Sequence, residues 1–194
     1  MKGIMSLIVA YSGVHGAVMA GDHREIVFRG DETSIGMLET ALYTNEICTD
    51  EHLKNRAAAL GVAIMIREDK CKVWERDGLL IGEVTETDGA SIKRRRLCVS
   101  CGHYTIGEKI SDQWTIRSRG EGSNFIVLGN QATQDIANRC IRDHWKKQGG
   151  SLQDAVRVII LSIEESARRT ATVSTTYTLV QTRRSIPVPG THDV

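Results

Sequence analysis

Met5 is followed by Ser6, and Ser6 opens an unbroken apolar run, Leu7-Ile8-Val9-Ala10-Tyr11. A serine hydroxyl is a poor nucleophile until a nearby base takes its proton. If Ser6 is the first residue of the mature chain, that base is its own α-amine. The amine's ordinary pKa of about 7.7 to 8.0 leaves a useful fraction unprotonated at neutral pH. Initiation at Met5 and loss of that methionine exposes Ser6, whereas simple removal of Met1 before Lys2 does not. Removal of residues 1–4, followed by loss of Met5, is a second route, and a Ser6 that stays internal is an ordinary strand serine. An N-terminal serine also offers a reason for transfer rather than hydrolysis. An ester on its hydroxyl can shift through a five-membered ring to the adjacent amine, giving an amide that water attacks slowly.

Two other groupings have chemical potential. Lys93-Arg94-Arg95-Arg96 is a basic run, and on a strand Lys93 and Arg95 face one way, Arg94 and Arg96 the other. Cys98-x-x-Cys101 with Cys140-x-x-x-His144 has four donors of the zinc-binding kind. Residues three apart on a continuous strand point to opposite faces, so the reading favours small core cysteines and no metal. His15, His23, His52 and His103 are isolated and read as surface or turn histidines. Gly13-x-x-Gly16 is too short for a phosphate loop or dinucleotide fingerprint, so no cofactor is indicated.

The elements that must carry these residues are legible in part. Leu7–Tyr11 and Ala17–Ala20 read as a hairpin of strands buried on both faces, around the turn Ser12-Gly13-Val14-His15-Gly16. Ile26-Val27-Phe28 follows, then two helical stretches carrying Ile35, Leu38 and Leu42, and Leu53, Ala57 and Leu60, the second capped by Thr49 and stopped by Gly61. Short strands at 62–66, 72–74 and 79–81 lead to a turn at Asp88-Gly89, and residues 30–90 read as one inserted lobe. Strands at 92–99, 113–119 and 125–128 come next. Gly129-Asn130 then opens a helix with Ile136, Cys140, Ile141 and Trp145 on one side. A second helix starts at Ser151 with Asp154 completing a capping box, and Tyr177–Val180 is the last strand. Residues 183–194 have no periodicity and read as a mobile tail. The order predicts an α+β sandwich, with helices outside stacked sheets.

Composition sets the boundaries. The chain has 194 residues, 41% of them hydrophobic and 25% charged, which is ordinary for one folded domain. A formal charge of +1 argues against a surface built for nucleic acid, as does the lack of aromatics among the arginines. Five cysteines, an odd number, suit a reducing compartment, and the expected location is cytoplasmic. No stretch approaches the roughly 20 apolar residues of a membrane-spanning helix. The turn at 12–16 interrupts the only segment resembling a signal peptide.

Ser6 to Arg24 resembles the start of proteasome β-subunits and the wider N-terminal nucleophile hydrolases, with an acidic-x-Arg triplet sixteen residues after the nucleophile: here Asp22 and Arg24. The resemblance implies an αββα sandwich in which Ser6 is the nucleophile and Asp22 and Arg24 orient it. Asn130 would take the place of the family's active-site serine. A basic residue of the 93–96 run, with Arg96 preferred, would depress the amine pKa. Asp22 and Arg24 also read as a strand-end salt bridge. The family's late Asp-x-x-Ser has no counterpart in Thr172-Val173-Ser174-Thr175, where Ser174 is the possible replacement.

The chain is more closely similar to connectases, proteasome-related protein ligases of methanogenic archaea, over most of residues 5–182. The matching stretches are Ser6 to Arg24, Lys93 to Leu97, Leu128-Gly129-Asn130 and the following helix with His144-Trp145-Lys146-Lys147. That resemblance implies a transpeptidase. It would cleave after Asp in a Lys-Asp-Pro-Gly-Ala motif of a methanopterin methyltransferase subunit, hold the acyl part covalently, and pass it to a Pro-Gly-Ala amine. Residues 30–90 would serve as the substrate clamp, while Lys93, Arg94 and Arg95 read from their residue types either as a solvated face or as binders of substrate carboxylates. A peptidase or amidohydrolase using the same first half-reaction, and a basic-surface binding module, are the competing readings.

Overall fold

The computed structural model of the protein describes residues 6–88, 91–110, 113–146 and 149–188. The opening hairpin forms as its apolar runs predict. β1 (Ile8–Gly13) pairs antiparallel with β2 (Gly16–Asp22), and every residue of both strands is buried. They are the centre of a four-stranded antiparallel sheet. β10 (Asn124–Leu128) adds beside β1, and β11 (Tyr177–Thr182) beside β2. A strand buried on both faces needs apolar side chains at every position, and this accounts for the unbroken runs.

Alternation divides those side chains between two cores. Leu7, Val9, Val18 and Ala20 face α3 (Gln131–His144) and α4 (Leu152–Arg169), meeting Ala137, Ala155, Ile159 and Ile163. Tyr11, Phe125 and Trp145 close this layer as a cluster with ring centroids 4.9–5.1 Å apart. Asn130 caps α3, and Ser151 with Asp154 forms the capping box expected for α4. Ile8, Ala10 and Met19 point the other way, onto a second sheet through Val73, Leu80, Leu97 and Val99. That sheet is a meander of β5 (Val73–Arg76), β6 (Leu79–Asp88), β7 (Ser91–Ser100), β8 (His103–Ile110) and β9 (Gln113–Glu121). Gly82 lets the sheets approach closely, because a Cβ there would lie 2.8 Å from Met19 Sδ and 3.1 Å from Ile8 Cδ1.

Between β2 and β5 lies a lobe with its own core. β3 (Glu25–Arg29) pairs with β4 (Ala63–Arg67), and α1 (Glu32–Tyr43) and α2 (Asp50–Ala59) bury Leu38, Leu42 and Leu53 against Ile26 and Val62. This changes three sequence expectations. Among the described residues, helices cover one outside of the paired sheets and not the other, since α1 and α2 spend their apolar faces inside the lobe. Residues 73–88, read as part of the insertion, pair with β7 and belong to the second sheet. The stretch read as a tail is held as far as Ile186: Cys101 N–H donates to Arg184 O, and Ser100 Oγ to Ile186 O. The last residues of that tail lie outside the described residues, as does Gly89 of the expected turn.

Candidate active site

The β1–β2 pairing brings the start of β1 beside the end of β2, so Leu7, the residue after Ser6, meets Asp22 across fifteen residues of sequence. Asp22 N–H donates to Leu7 O (3.1 Å), and Leu7 N–H returns to Asp22 Oδ1 (2.8 Å). The carboxylate is fully buried and collects further donors: Lys72 Nζ on Oδ1 (2.7 Å), Arg24 N–H on Oδ2 (2.9 Å) and Ser174 N–H on Oδ2 (3.3 Å). A charge removed from water is tolerated only when paired and hydrogen-bonded in this way.

Lys72 is itself 4% exposed and gives a second hydrogen bond to Arg24 O at 2.7 Å. Burial pulls its ammonium below the ordinary lysine value, while the Asp22 charge and hydrogen bond pull upward and only partly offset this. A cation is therefore fixed one residue from Ser6, through a shared carboxylate oxygen. Ser6 is buried. Its carbonyl oxygen lies beside Gly129, where an added Cβ would stand 3.3 Å from it and would collide with Thr133 Oγ1.

The other expected residues take different places. Asn130 uses Oδ1 to accept from Thr133 N–H (2.9 Å) and Nδ2 to reach Thr172 Oγ1 (3.4 Å), so it anchors the α3 N-terminus beside Ser6. Arg24 sends its guanidinium outward from Asp22, to Asp50 Oδ1 (2.6 Å), Glu68 Oε1 (2.6 Å) and Ala171 O (2.8 Å). It ties the lobe to the body. Ser174 donates its hydroxyl to Thr176 O (2.6 Å) while its N–H holds Asp22.

Arg96 is committed elsewhere. Its Nε and Nη2 lie 3.0 and 2.9 Å from Glu83 Oε2, and its guanidinium stacks 4.6 Å over Trp114 on the far face of the second sheet. The basic residue at Asp22 is Lys72, which the sequence reading treated only as strand content. Arg94 shares the far side with Arg96, while Arg95 turns toward the first sheet, 3.6 Å from Glu108. Among the described residues no cluster of metal-binding side chains occurs. Cys98 is buried in the second sheet, its thiol pushed up to about 11 by burial, and Cys140 is buried on α3 beyond the first sheet.

The chain matches the family model described as "Connectase MJ0548-like, N-terminal domain" over residues 5–189. It belongs to the connectase family. Two solved structures align at low similarity. Anbu (ancestral beta-subunit) from Yersinia bercovieri is 10% identical, covering 91% of this chain and 80% of that one at a TM-score of 0.39. The helical assembly of the Anbu complex from Pseudomonas aeruginosa is 13% identical, covering 91% and 81%, also at 0.39. No curated protein matches the chain. Among the described residues of this connectase, no helix is long and apolar enough to cross a membrane.

Proposed function

We propose that this connectase is an N-terminal serine transpeptidase of N-terminal-nucleophile architecture, acting on a Lys-Asp-Pro-Gly-Ala-type motif. The observation that carries the reading is the buried Asp22–Lys72 pair, joined through one oxygen to the N–H of the residue after Ser6. In the connectase match the aligned region begins at Met5, directly before Ser6.

With Ser6 as N-terminus, its α-amine takes the hydroxyl proton as Oγ attacks the carbonyl carbon of the Asp–Pro bond. The same amine hands that proton to the departing proline nitrogen, leaving an ester on Oγ. Lys72 and the positive end of α3 beside Ser6 both disfavour protonation of the amine, which keeps more of it in the basic form. The ester can pass to the amine through a five-membered ring and back. A Pro-Gly-Ala amine attacking the ester carbonyl forms the new peptide bond and returns Ser6. The basic run supplies candidate contacts for substrate carboxylates, and the lobe tied down by Arg24 is the proposed clamp. By the resemblance in sequence, the partner is a methanopterin methyltransferase subunit in the cytoplasm of an archaeal methanogen.

The test is exchange. Protein beginning at Ser6, mixed with a tagged peptide containing the motif and a second peptide starting Pro-Gly-Ala, should yield the chimeric peptide, and Ser6→Ala should yield none. Cleavage without a chimera would assign a peptidase. The absence of both cleavage and chimera would overturn the reading.

A further inference from the structure

The connection between α4 and β11 carries no charged residue, yet residues 170–174 are all buried, none more than 2% exposed. Its members go to different neighbours. Ala171 enters the core of the lobe and its carbonyl accepts from Arg24, Val173 enters the helical layer, and Ser174 N–H holds Asp22 Oδ2. Thr172, fully buried between them, meets Asn130.

The hydrogen bonds at Thr172 run in one direction. Asn130 Oδ1 accepts from Thr133 N–H (2.9 Å), and a backbone N–H can only donate, so the amide presents Nδ2 to Thr172 Oγ1 (3.4 Å). Thr172 Oγ1 accepts there and gives its own proton to Thr170 Oγ1 (3.2 Å), which donates to Ser166 O (3.0 Å) in the last turns of α4. The chain thus ties the first turn of α3 to the end of α4. Gly129, directly before the α3 cap, lies against the strand start: a Cβ there would stand 3.3 Å from both Ser6 O and Leu7 Cδ1. Removing the Thr172 hydroxyl while keeping its shape leaves Nδ2 of a 3% exposed Asn130 without its acceptor. A buried donor left unpaired is costly, and the relief open to Asn130 is to turn outward and release Thr133 N–H. The first turn of α3 then frays beside Ser6.

We propose that Thr172 is a positioning residue, whose hydroxyl holds the first turn of α3 in the place from which it acts on the Ser6 amine. This rests on the nucleophile reading for its part in the reaction, but the amine can be titrated without any chemistry taking place. The charged groups on the elements around that amine are Asp22 and Lys72, with Arg95 and Glu108 on the second-sheet face turned toward β1, while the Arg24 guanidinium points away. The first turn of α3 holds no charged side chain, so its contribution is that of the helix end, which disfavours a second positive charge nearby.

The experiment is an NMR titration of the α-amine of protein beginning at Ser6, in the parent, Thr172→Val, Thr172→Ser and Ser162→Ala. Ser162 serves as the control, a fully buried α4 hydroxyl that donates to Val158 O and lies outside the chain. Thr172→Val should raise the pH at which the amine titrates by about 0.2 to 0.7, the size of a helix-end effect. At saturating motif peptide it should also slow adduct formation at least about tenfold, with KM little changed. Thr172→Ser should restore both, and Ser162→Ala should lower the melting temperature while moving neither. If Thr172→Val does not fold, Thr170→Val breaks the next link and should shift the amine in the same direction. An amine that titrates alike in the parent and in the folded valine variant overturns the proposal, as does an equal shift in Ser162→Ala. Failure of the nucleophile reading would appear elsewhere, as an absent chimera in the exchange assay, and leaves the amine titration interpretable.

Discussion

Lys72 Nζ stands 2.7 Å from Asp22 Oδ1, with 4% and 0% of the two side chains exposed. The same oxygen accepts from Leu7 N–H, so a buried ion pair is anchored to the strand end that carries Ser6. Removing one partner of such a pair leaves an uncompensated buried charge and costs about 3–5 kcal/mol. Lys72→Ala should therefore lower the urea midpoint strongly and abolish adduct formation. The double variant Asp22→Asn with Lys72→Met removes both charges and should recover part of the stability. It should recover none of the activity, which separates the catalytic role from the structural one.

Arg24 joins three segments, through Asp50 at the start of α2, Glu68 after β4 and the carbonyl of Ala171. Asp50 and Glu68 are each more than 40% exposed, so solvent screens both pairs and the expected cost of Arg24→Ala is modest, about 1–2 kcal/mol. The effect should be local. Hydrogen exchange should quicken in α1, α2 and β4 while β1 and β2 keep their protection. Uniform quickening across both sheets would contradict a tie between lobe and body.

Asp154 is the capping-box carboxylate of α4, accepting from Ser151 N–H at 2.9 Å. The backbone and side-chain hydrogen bonds from Ser151, with Lys146 adding to them, hold its pKa at about 2 against an ordinary 3.8. A depressed folded-state pKa contributes stability that is present above the unfolded value and lost as pH falls through the folded one. The window is therefore from about pH 4 down to about pH 2. Melting temperature followed over that range should fall less steeply in Asp154→Asn than in the parent, from a lower starting value at neutral pH.

The parts of this fold that were legible in sequence are those whose pattern is local. The doubly buried hairpin, the helix that opens after Asn130 and the Ser151–Asp154 capping box each follow from side-chain type at short range. β8 was missed because His103 to Ile110 alternates weakly and carries a bulge at Ile106/Gly107 where it pairs with β9. Lys72 was missed for a topological reason. The lobe contributes β3 and β4 of its own, so the third strand of the body is β5, and the lysine just before it precedes the basic run by some twenty residues. Arg96 looked suitable by its neighbour Leu97, but face alternation sends it to Glu83 and Trp114. Thr172 carried no signal of its own, since only the packing of the α4–β11 connection against α3 brings it to Asn130.

The most direct test of the central claim is the intact mass of protein with a verified Ser6 N-terminus, before and after mixing with a Lys-Asp-Pro-Gly-Ala peptide. The account predicts a mass gain equal to the peptide fragment ending in Asp, mapped to Ser6, absent in Ser6→Ala and reversed by an added Pro-Gly-Ala amine. An unchanged mass with the peptide left intact would contradict it.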